Sequence, residues 1–156
     1  MSMQTSGTGS SLPALSHADR LAAQWQDFLL LAARLLMGWM FISSGWRKLT
    51  DIPAFVASMP RRGLPDFLGY VAPPVEFLGG IFLVLGFATR YTALVLLLFV
   101  IIASFSSHRY WAVEPAQVGN QSSHFWKNVT IKGGMVLLFI TGAGRYALDW
   151  MLAKRR

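Results

Sequence analysis

The sequence predicts an all-α, polytopic membrane protein whose core is a bundle of four transmembrane helices. Of its 156 residues, 54% are hydrophobic and only 13% are charged, whereas charged residues make up about 25% of an average soluble domain. Four apolar blocks follow one another along the chain, and within each block the apolar residues are continuous. Strands of a membrane barrel would alternate apolar and polar residues, so the pattern favours helices.

The four blocks define the predicted membrane helices. Each contains about 16 to 18 residues, and at a rise of 1.5 Å per residue such a helix covers about 24 to 27 Å of a hydrocarbon layer that is about 30 Å thick. A soluble four-helix bundle would need a polar stripe at helical period in every block, and ALVLLLFVIIASF in the third block has none. The blocks are Phe28–Gly45, Val71–Phe87, Tyr91–Ser107 and Val129–Gly144.

The remaining segments are predicted as tails and loops. Residues 1–25, rich in Ser, Gly and Thr, are predicted to form a disordered tail, residues 26–150 the membrane domain, and residues 151–156 a basic tail. In the first loop, Trp46–Tyr70, the stretch PRRGLPDF breaks any long helix, and a short helix fits before it, around Ile52–Met59. The second loop is only residues 88–90, which predicts an antiparallel hairpin. The third loop is predicted to cover His108–Trp126.

The charge and the cysteine content indicate which membrane and which partners the chain suits. The net charge is +7, and in a chain with this much lipid-facing surface the cations are expected to meet anionic lipid headgroups, not nucleic acid. The positive-inside rule gives six Lys and Arg on each side; the uncleaved tail and the basic C-terminus favour two cytoplasmic termini in a bacterial inner membrane. The chain has no cysteine, which excludes disulfides and thiolate metal sites.

Three charged residues lie within the apolar blocks: Arg34, Glu76 and Lys132. An unpaired charge at the centre of a bilayer costs about 2.5 to 3.5 kcal/mol, so these side chains are predicted to face the bundle interior and to be paired. Glu76 is the acidic residue available at that depth. It is therefore predicted to bridge to Arg34 or Lys132.

Polar residues are also predicted to gather at one end of the bundle. In an antiparallel bundle, the ends of the first and third helices lie level with the starts of the second and fourth. Glycines at helical spacing, such as Gly38 and Gly45, allow the helices to approach closely there. The residues predicted to lie near one another are Lys48, Glu76, His108, Lys127, Asn128 and Lys132.

Two interpretations of this cluster stay open. The charges and glycines could simply hold four helices in register. Alternatively, Lys48, Lys127 and Lys132 could surround Glu76 in a pocket for an anion, a lipid headgroup or an amphiphile such as a quinone. His108 could then carry protons, because free histidine titrates near neutral pH, or it could be an interfacial residue. The three histidines are scattered and make no i, i+4 pair, so no metal site is predicted.

Five ordered motifs resemble the DoxX family of small four-helix membrane proteins. They are RLLMGWMFISSGWRKLTD, GLP, EFLGGIFLVLGFATRYTAL, SSHRYW and FWKNVTIKGGMVLLFITGAGRYALD, within residues 28–150. Lys132 departs from the family pattern, in which many relatives are apolar at this position. The family's characteristic polar and small residues correspond to Arg34, Gly38, Gly45, Lys48, Glu76, Gly80, Gly86, His108, Lys127, Asn128 and Gly134.

The resemblance implies several roles that the residues alone do not decide among. Some DoxX proteins are similar to subunits of thiosulfate:quinone oxidoreductase, and others are linked to membrane complexes that handle thiol or radical stress. We therefore expect a membrane subunit of a redox system, with Arg34, Glu76 and Lys127 near a quinone or lipid-like ligand and a separate partner enzyme. The alternative is a non-catalytic scaffold or assembly factor that docks a partner. A transporter would require an oligomer, and whether the chain is itself an enzyme stays open.

Overall fold

A computed structural model describes residues 13–155 of the chain, and within them all regular structure is helical. The long helices pack as a bundle in which α1 contacts α3, α3 contacts α4, and α4 contacts α5. This confirms the predicted all-α class. The helices are α1 (Pro13–Leu49), α2 (Ile52–Ala57), α3 (Phe67–Leu85), α4 (Thr89–Ser107), α5 (Pro115–Thr141) and α6 (Leu148–Ala153), with 3-10 turns at Pro60–Arg62 and Tyr110–Ala112.

Three helical segments are long and apolar enough to cross a membrane: Ser16–Leu49, Phe67–Leu85 and Thr89–Ala112. In each of them no more than 33% of the most apolar window is buried inside the protein, as expected for helices that face lipid. The chain is therefore a polytopic helical membrane protein, as predicted. In α5 the apolar residues are concentrated in the second half, and its crossing of the membrane stays a prediction.

Three predicted boundaries were wrong. α1 begins at Pro13, so residues 13–25 are helical and not disordered, because the helix formers of HADRLAAQW follow the Ser- and Gly-rich start; residues 1–12 lie outside the described part. α5 begins at Pro115, where proline suits the first turn of a helix, and the predicted third loop is mostly helix. The predicted basic tail, residues 151–156, starts inside α6, and Arg156 is not described.

Glycines bring the backbones of α1 and α3 into direct contact. A β-carbon built on Gly80 would lie 2.8 Å from the carbonyl oxygen of Gly38 and 2.8 Å from the backbone nitrogen of Ile42. One built on Gly45 would lie 2.7 Å from the backbone nitrogen of Phe77. The glycine face predicted from the spacing is therefore the α1–α3 contact, and it fixes the register of the two helices.

Replacing Gly80 by alanine is expected to lower the free energy of unfolding by about 1 to 3 kcal/mol, because two backbones must move apart to admit a methyl group. Gly133→Ala on α5 is the matched control, since no neighbouring part of the protein comes within 4 Å of the position that its methyl group would occupy; it should be neutral or slightly stabilising. Thermal unfolding in mild detergent, followed by circular dichroism, compares the two. Equal stability of both variants would contradict this account of the α1–α3 contact.

The C-terminal segment ties the other end of the bundle together. α3 ends at Gly86, whose φ of 65° is left-handed, and the turn to α4 continues through Ala88, whose φ is 45°. Ala88 precedes α4 but its methyl side chain cannot accept a hydrogen bond. Asp149, which is distant in the sequence, caps the N-terminus of α4 instead. The carboxylate of Asp149 accepts hydrogen bonds from the backbone N–H groups of Ala88 at 2.6 Å and Thr89 at 2.8 Å. A negative charge is stabilising at the N-terminus of a helix.

At the opposite end, the first loop folds back over α3. The predicted short helix is confirmed as α2, and the carboxylate of Asp51 caps it by accepting from the N–H of Ala54 at 3.1 Å. Met59 follows it and is buried against α3 near Gly69. Gly63, with a left-handed φ of 69°, ends the following 3-10 turn and turns the chain back toward α3.

Candidate functional site

A cavity of about 380 Å³ lies where α1 ends, between α1, α3, α4 and α5; we call it the charged cavity. It brings together five of the six residues that the antiparallel arrangement predicted to be neighbours. They come from four separate parts of the chain, namely the end of α1, the middle of α3, the end of α4 and, for two of them, α5, so no short sequence motif contains all five. They are Lys48, Glu76, His108, Lys127 and Asn128.

The central contact of the charged cavity is an ion pair between Lys48 Nζ and Glu76 Oε2. Glu76 is only 4% exposed. The ammonium group of Lys48 also lies 5.5 Å from the centre of the Phe55 ring and 5.7 Å from that of Phe99, in the range of cation–π attraction. The prediction that Glu76 pairs with Arg34 or Lys132 was wrong: its partner comes from the last turn of α1.

Arg34 lies outside the charged cavity, at the other end of α3. It is fully buried, and its Nη1 donates to the carbonyl oxygens of Leu83 and Val84 at 3.3 Å each, while Nη2 donates to the carbonyl oxygen of Tyr146. The last carbonyls of a helix lack partners within that helix and attract cations. Arg34 therefore holds α3 and the C-terminal segment together, and the structure does not bring it beside the other residues predicted to bind a ligand.

Lys132 does not line the charged cavity either. Its Nζ lies 5.7 Å from the centre of the Phe105 ring and 5.5 Å from that of Phe125. Two aromatic faces, and no carboxylate, are therefore the neighbours of this ammonium group in the described structure. Its predicted role as a ligand-binding residue of the same pocket finds no geometric support.

Two histidines meet on the α4–α5 side of the cavity. The rings of His108 and His124 stack with their centres 5.0 Å apart. Lys127 Nζ lies 3.1 Å from His124 Nδ1, and because an ammonium group can only donate, that ring nitrogen accepts. His108 Nδ1 lies 3.0 Å from Gln121 Oε1 and donates to it, which leaves its Nε2 as the acceptor in the neutral ring.

These histidines had looked scattered in the sequence, since α5 was predicted to begin later. Its early start places His124 beside His108. Among the described residues, no group of three or more His, Asp or Glu side chains is arranged to hold a metal ion.

Arg62 is one of the charged residues of the cavity that the sequence did not place there. Its Nε donates to Ser58 Oγ at 3.1 Å and its Nη1 donates to Ser107 Oγ at 2.5 Å, so it links the first loop to the end of α4. Burial, and then the positive charge of Arg61, lower the pKa of the Arg62 guanidinium, although arginine stays charged at neutral pH. The available signal was the Arg–Gly step in PRRG, since a glycine there permits the chain to turn back.

The cavity lining contains more positive than negative charge. Glu76 is the one carboxylate among its described lining residues, and four cations accompany it. Two of these cations are exposed and two are partly buried, and an excess of positive charge around a cavity attracts anions, so the cavity suits an anion or a ligand rich in hydrogen-bond acceptors. The four cations are Arg47, Lys48, Arg62 and Lys127.

The fold and the cavity together define a polytopic helical membrane protein with a charged, partly enclosed site at one end of its bundle. Comparison with known proteins identifies the family. The DoxX family matches residues 29–109, and the chain belongs to it. The resemblance inferred from the five motifs is thereby confirmed.

The chain is also similar to several proteins of known name. It is 38% identical over 130 residues to "Inner membrane protein YqjF" of Escherichia coli, covering 83% of this chain and 96% of that protein. It is 35% identical over 123 residues to "Inner membrane protein YphA" of the same organism, covering 78% and 88%. A more distant match, 23% identical over 147 residues, is "ER-derived vesicles protein ERV29" of Saccharomyces cerevisiae, covering 94% and 40%. No solved structure gives a significant match.

Proposed function

We propose that this chain is an inner-membrane protein that acts as the membrane subunit of a redox system and holds a quinone head group in the charged cavity. The observation that carries the proposal is the buried Lys48–Glu76 pair, which faces further cations across a cavity lined by four helices. The names of YqjF and YphA support an inner-membrane location. Two cytoplasmic termini stay part of this proposal.

The residues of the charged cavity fit a quinone. The two ring oxygens of a quinone accept hydrogen bonds, and they need donors on opposite sides of the ring. Lys48 and Arg62 supply donors from α1 and the first loop, and Lys127 and Asn128 supply them from α5. When bound, the quinone would supply the electron transfer. The excess of cations would favour its reduced form whenever that form carries negative charge.

The protein's own groups would bind the head group and handle protons. Lys127 and Asn128 would orient one oxygen, and Lys48 would fix the position of the Glu76 carboxylate through their ion pair. Glu76 would accept or return a proton at Oε1, the oxygen that does not contact Lys48. The chain has no cysteine, so any thiol chemistry of such a system would be carried out by the partner enzyme.

Glu76→Gln is expected to weaken binding of a short-chain quinol analogue about tenfold or more, because a quinol hydroxyl can donate to the Glu76 carboxylate and such a charge-assisted hydrogen bond contributes about 1.5 to 3 kcal/mol. Tryptophan fluorescence quenching of the purified protein measures this affinity. The matched control is Glu114→Gln, the same chemical change at an exposed residue that makes no capping hydrogen bond. Thermal unfolding of both variants separates loss of the site from loss of the fold.

Equal affinities of wild type and Glu76→Gln would contradict the proposal. A variant that fails to fold would indicate instead that the ion pair serves packing. In that case Lys127→Gln tests the site, because the side chain of Lys127 is exposed and its hydrogen bond is to His124, a neighbour on the same helix. It too should weaken binding severalfold.

A non-catalytic scaffold is the second candidate function. It is favoured by the way the polar segments at this end are fixed to one another: Arg109 Nη2 donates to the carbonyl oxygen of Arg61 at 3.2 Å. A preformed polar surface of this kind suits the docking of a partner protein. If this candidate is right, Arg61→Glu abolishes co-purification of a stoichiometric partner from membranes, and Glu76→Gln leaves it unchanged.

A further inference from the structure

A second, mostly apolar depression lies beside the charged cavity, between the first loop, α3 and α4, and shares five lining residues with it, Lys48 and Arg62 among them. This apolar groove has a volume of about 230 Å³. Val71 is 48% exposed and Leu98 is 59% exposed, so the groove opens sideways, toward the bilayer that α3 and α4 cross. Its helical walls include Leu68, Val71, Val75, Val95, Leu98 and Ile102.

At the end formed by Arg62, Ser106 and Ser107, the apolar groove joins a positively charged depression. This arginine basin, of about 550 Å³, is lined by Arg61, Arg62 and Arg109, and no carboxylate is among its described lining residues. Arg62, Ser106 and Ser107 line both the basin and the groove. A strongly cationic depression therefore opens directly onto an apolar one that faces lipid.

We propose that the arginine basin and the apolar groove form one binding site for an anionic phospholipid, with its phosphate in the basin and an acyl chain in the groove. The chemistry of the two parts matches such a molecule. Guanidinium groups bind phosphate oxygens through paired hydrogen bonds, and basic pockets at the ends of membrane helices attract lipid phosphates. The aliphatic walls of the groove suit a hydrocarbon chain.

The charge of the basin is uncompensated by the protein itself. Two of the three nitrogens of the Arg62 guanidinium donate to serine hydroxyl groups, and the ion pairs of the described residues, Lys48–Glu76 and Arg145–Asp27, involve none of the three arginines. A lipid phosphate would neutralise this cluster. The site shares Arg62 with the charged cavity, but Arg61 and Arg109 do not line that cavity, so substitutions of these two arginines change the lipid site without changing the lining of the charged cavity.

Competition between two lipids tests the site. The full-length protein in mild detergent is incubated with equal amounts of phosphatidylglycerol and phosphatidylcholine that have the same acyl chains, and native mass spectrometry counts the lipids retained. The wild type is expected to retain one phosphatidylglycerol with about tenfold preference. The double variant Arg61→Gln/Arg109→Gln should lose the preference. The control Arg20→Gln/Arg155→Gln, which removes the same charge at exposed residues elsewhere, should keep it.

A second variant tests the groove. Ala72→Phe places a ring inside it and should lower retention of phosphatidylglycerol severalfold without changing the three arginines. If Ala72→Phe fails to fold, Ile102→Trp, which starts from the lipid-exposed wall, serves the same purpose.

Three outcomes would overturn the proposal. The first is the absence of any preference for phosphatidylglycerol in the wild type. The second is a groove substitution without effect, which would mean that no acyl chain lies there. The third is displacement of the lipid by millimolar inorganic phosphate, which would show that the basin binds a free anion and that the groove adds nothing.

Discussion

Replacing Arg34 by leucine is expected to be the most damaging single change in the bundle, lowering the free energy of unfolding by about 3 to 5 kcal/mol. The guanidinium is 0% exposed and serves three carbonyl oxygens, those of Leu83, Val84 and Tyr146. Leucine would remove the side-chain donor from all three carbonyl oxygens; that of Leu83 would keep the backbone N–H of Gly86, but those of Val84 and Tyr146 would lose the partner that Arg34 provides. The C-terminal segment would then lose one of its attachments to α3, and the hydrogen bond from Asp149 to Gly86 would remain.

The measurement is the apparent Tm in mild detergent, which should fall by about 10 °C or more, at roughly 2 to 4 °C per kcal/mol for a chain of this size. Arg20→Leu is the control on the same helix, since Arg20 is exposed and donates to Ser16 within its own helix turn; its Tm should stay within about 1 °C of the wild type. An Arg34→Leu protein with normal stability but impaired ligand binding would contradict this account. It would return Arg34 to the ligand site.

Replacing Asp149 by alanine is expected to have the second largest effect, a loss of about 2 to 3 kcal/mol. Its two carboxylate oxygens cap the first N–H groups of α4, those of Ala88 and Thr89, and its own backbone N–H donates to the carbonyl oxygen of Gly86 at 2.9 Å. Alanine keeps the backbone hydrogen bond and removes both caps. The start of α4 and the turn before it should loosen together.

Tm again measures this effect, with an expected fall of about 5 to 10 °C, and hydrogen exchange should show faster exchange at the first turn of α4. Asp66→Ala is the matched control, because Asp66 precedes α3 but makes no capping hydrogen bond. It should change Tm by less than about 2 °C. Similar effects of the two alanine substitutions would contradict the role assigned to Asp149.

Residue spacing predicted the order of the helices, the glycine contact and the gathering of polar groups at one end. Each follows from the helical period, which relates residues three or four apart, and from the antiparallel arrangement of helices that follow one another in the sequence. Lys48 and Glu76 could thus be placed at the same level. Their pairing was not predicted, because partners for Glu76 were sought among the charges within the apolar blocks, Arg34 and Lys132, and Lys48 lies just beyond the first block.

The contacts that were missed depend on segments distant in the sequence. The cost of a charge in lipid predicted an acidic partner for Arg34. Its guanidinium instead donates to backbone carbonyl oxygens at the end of α3 and in the segment after α5. Arg62 entered the cavity because the first loop turns back at Gly63, whose φ is positive. Neither geometry leaves a periodic pattern in the sequence.

The central claim is that the charged cavity holds a quinone, and native mass spectrometry of the protein purified from membranes in mild detergent tests it most directly. The account predicts one quinone per wild-type chain, its loss in Glu76→Gln, and its retention in Glu114→Gln. A wild-type protein without quinone, or a Glu76→Gln protein that retains as much as the wild type, would contradict it.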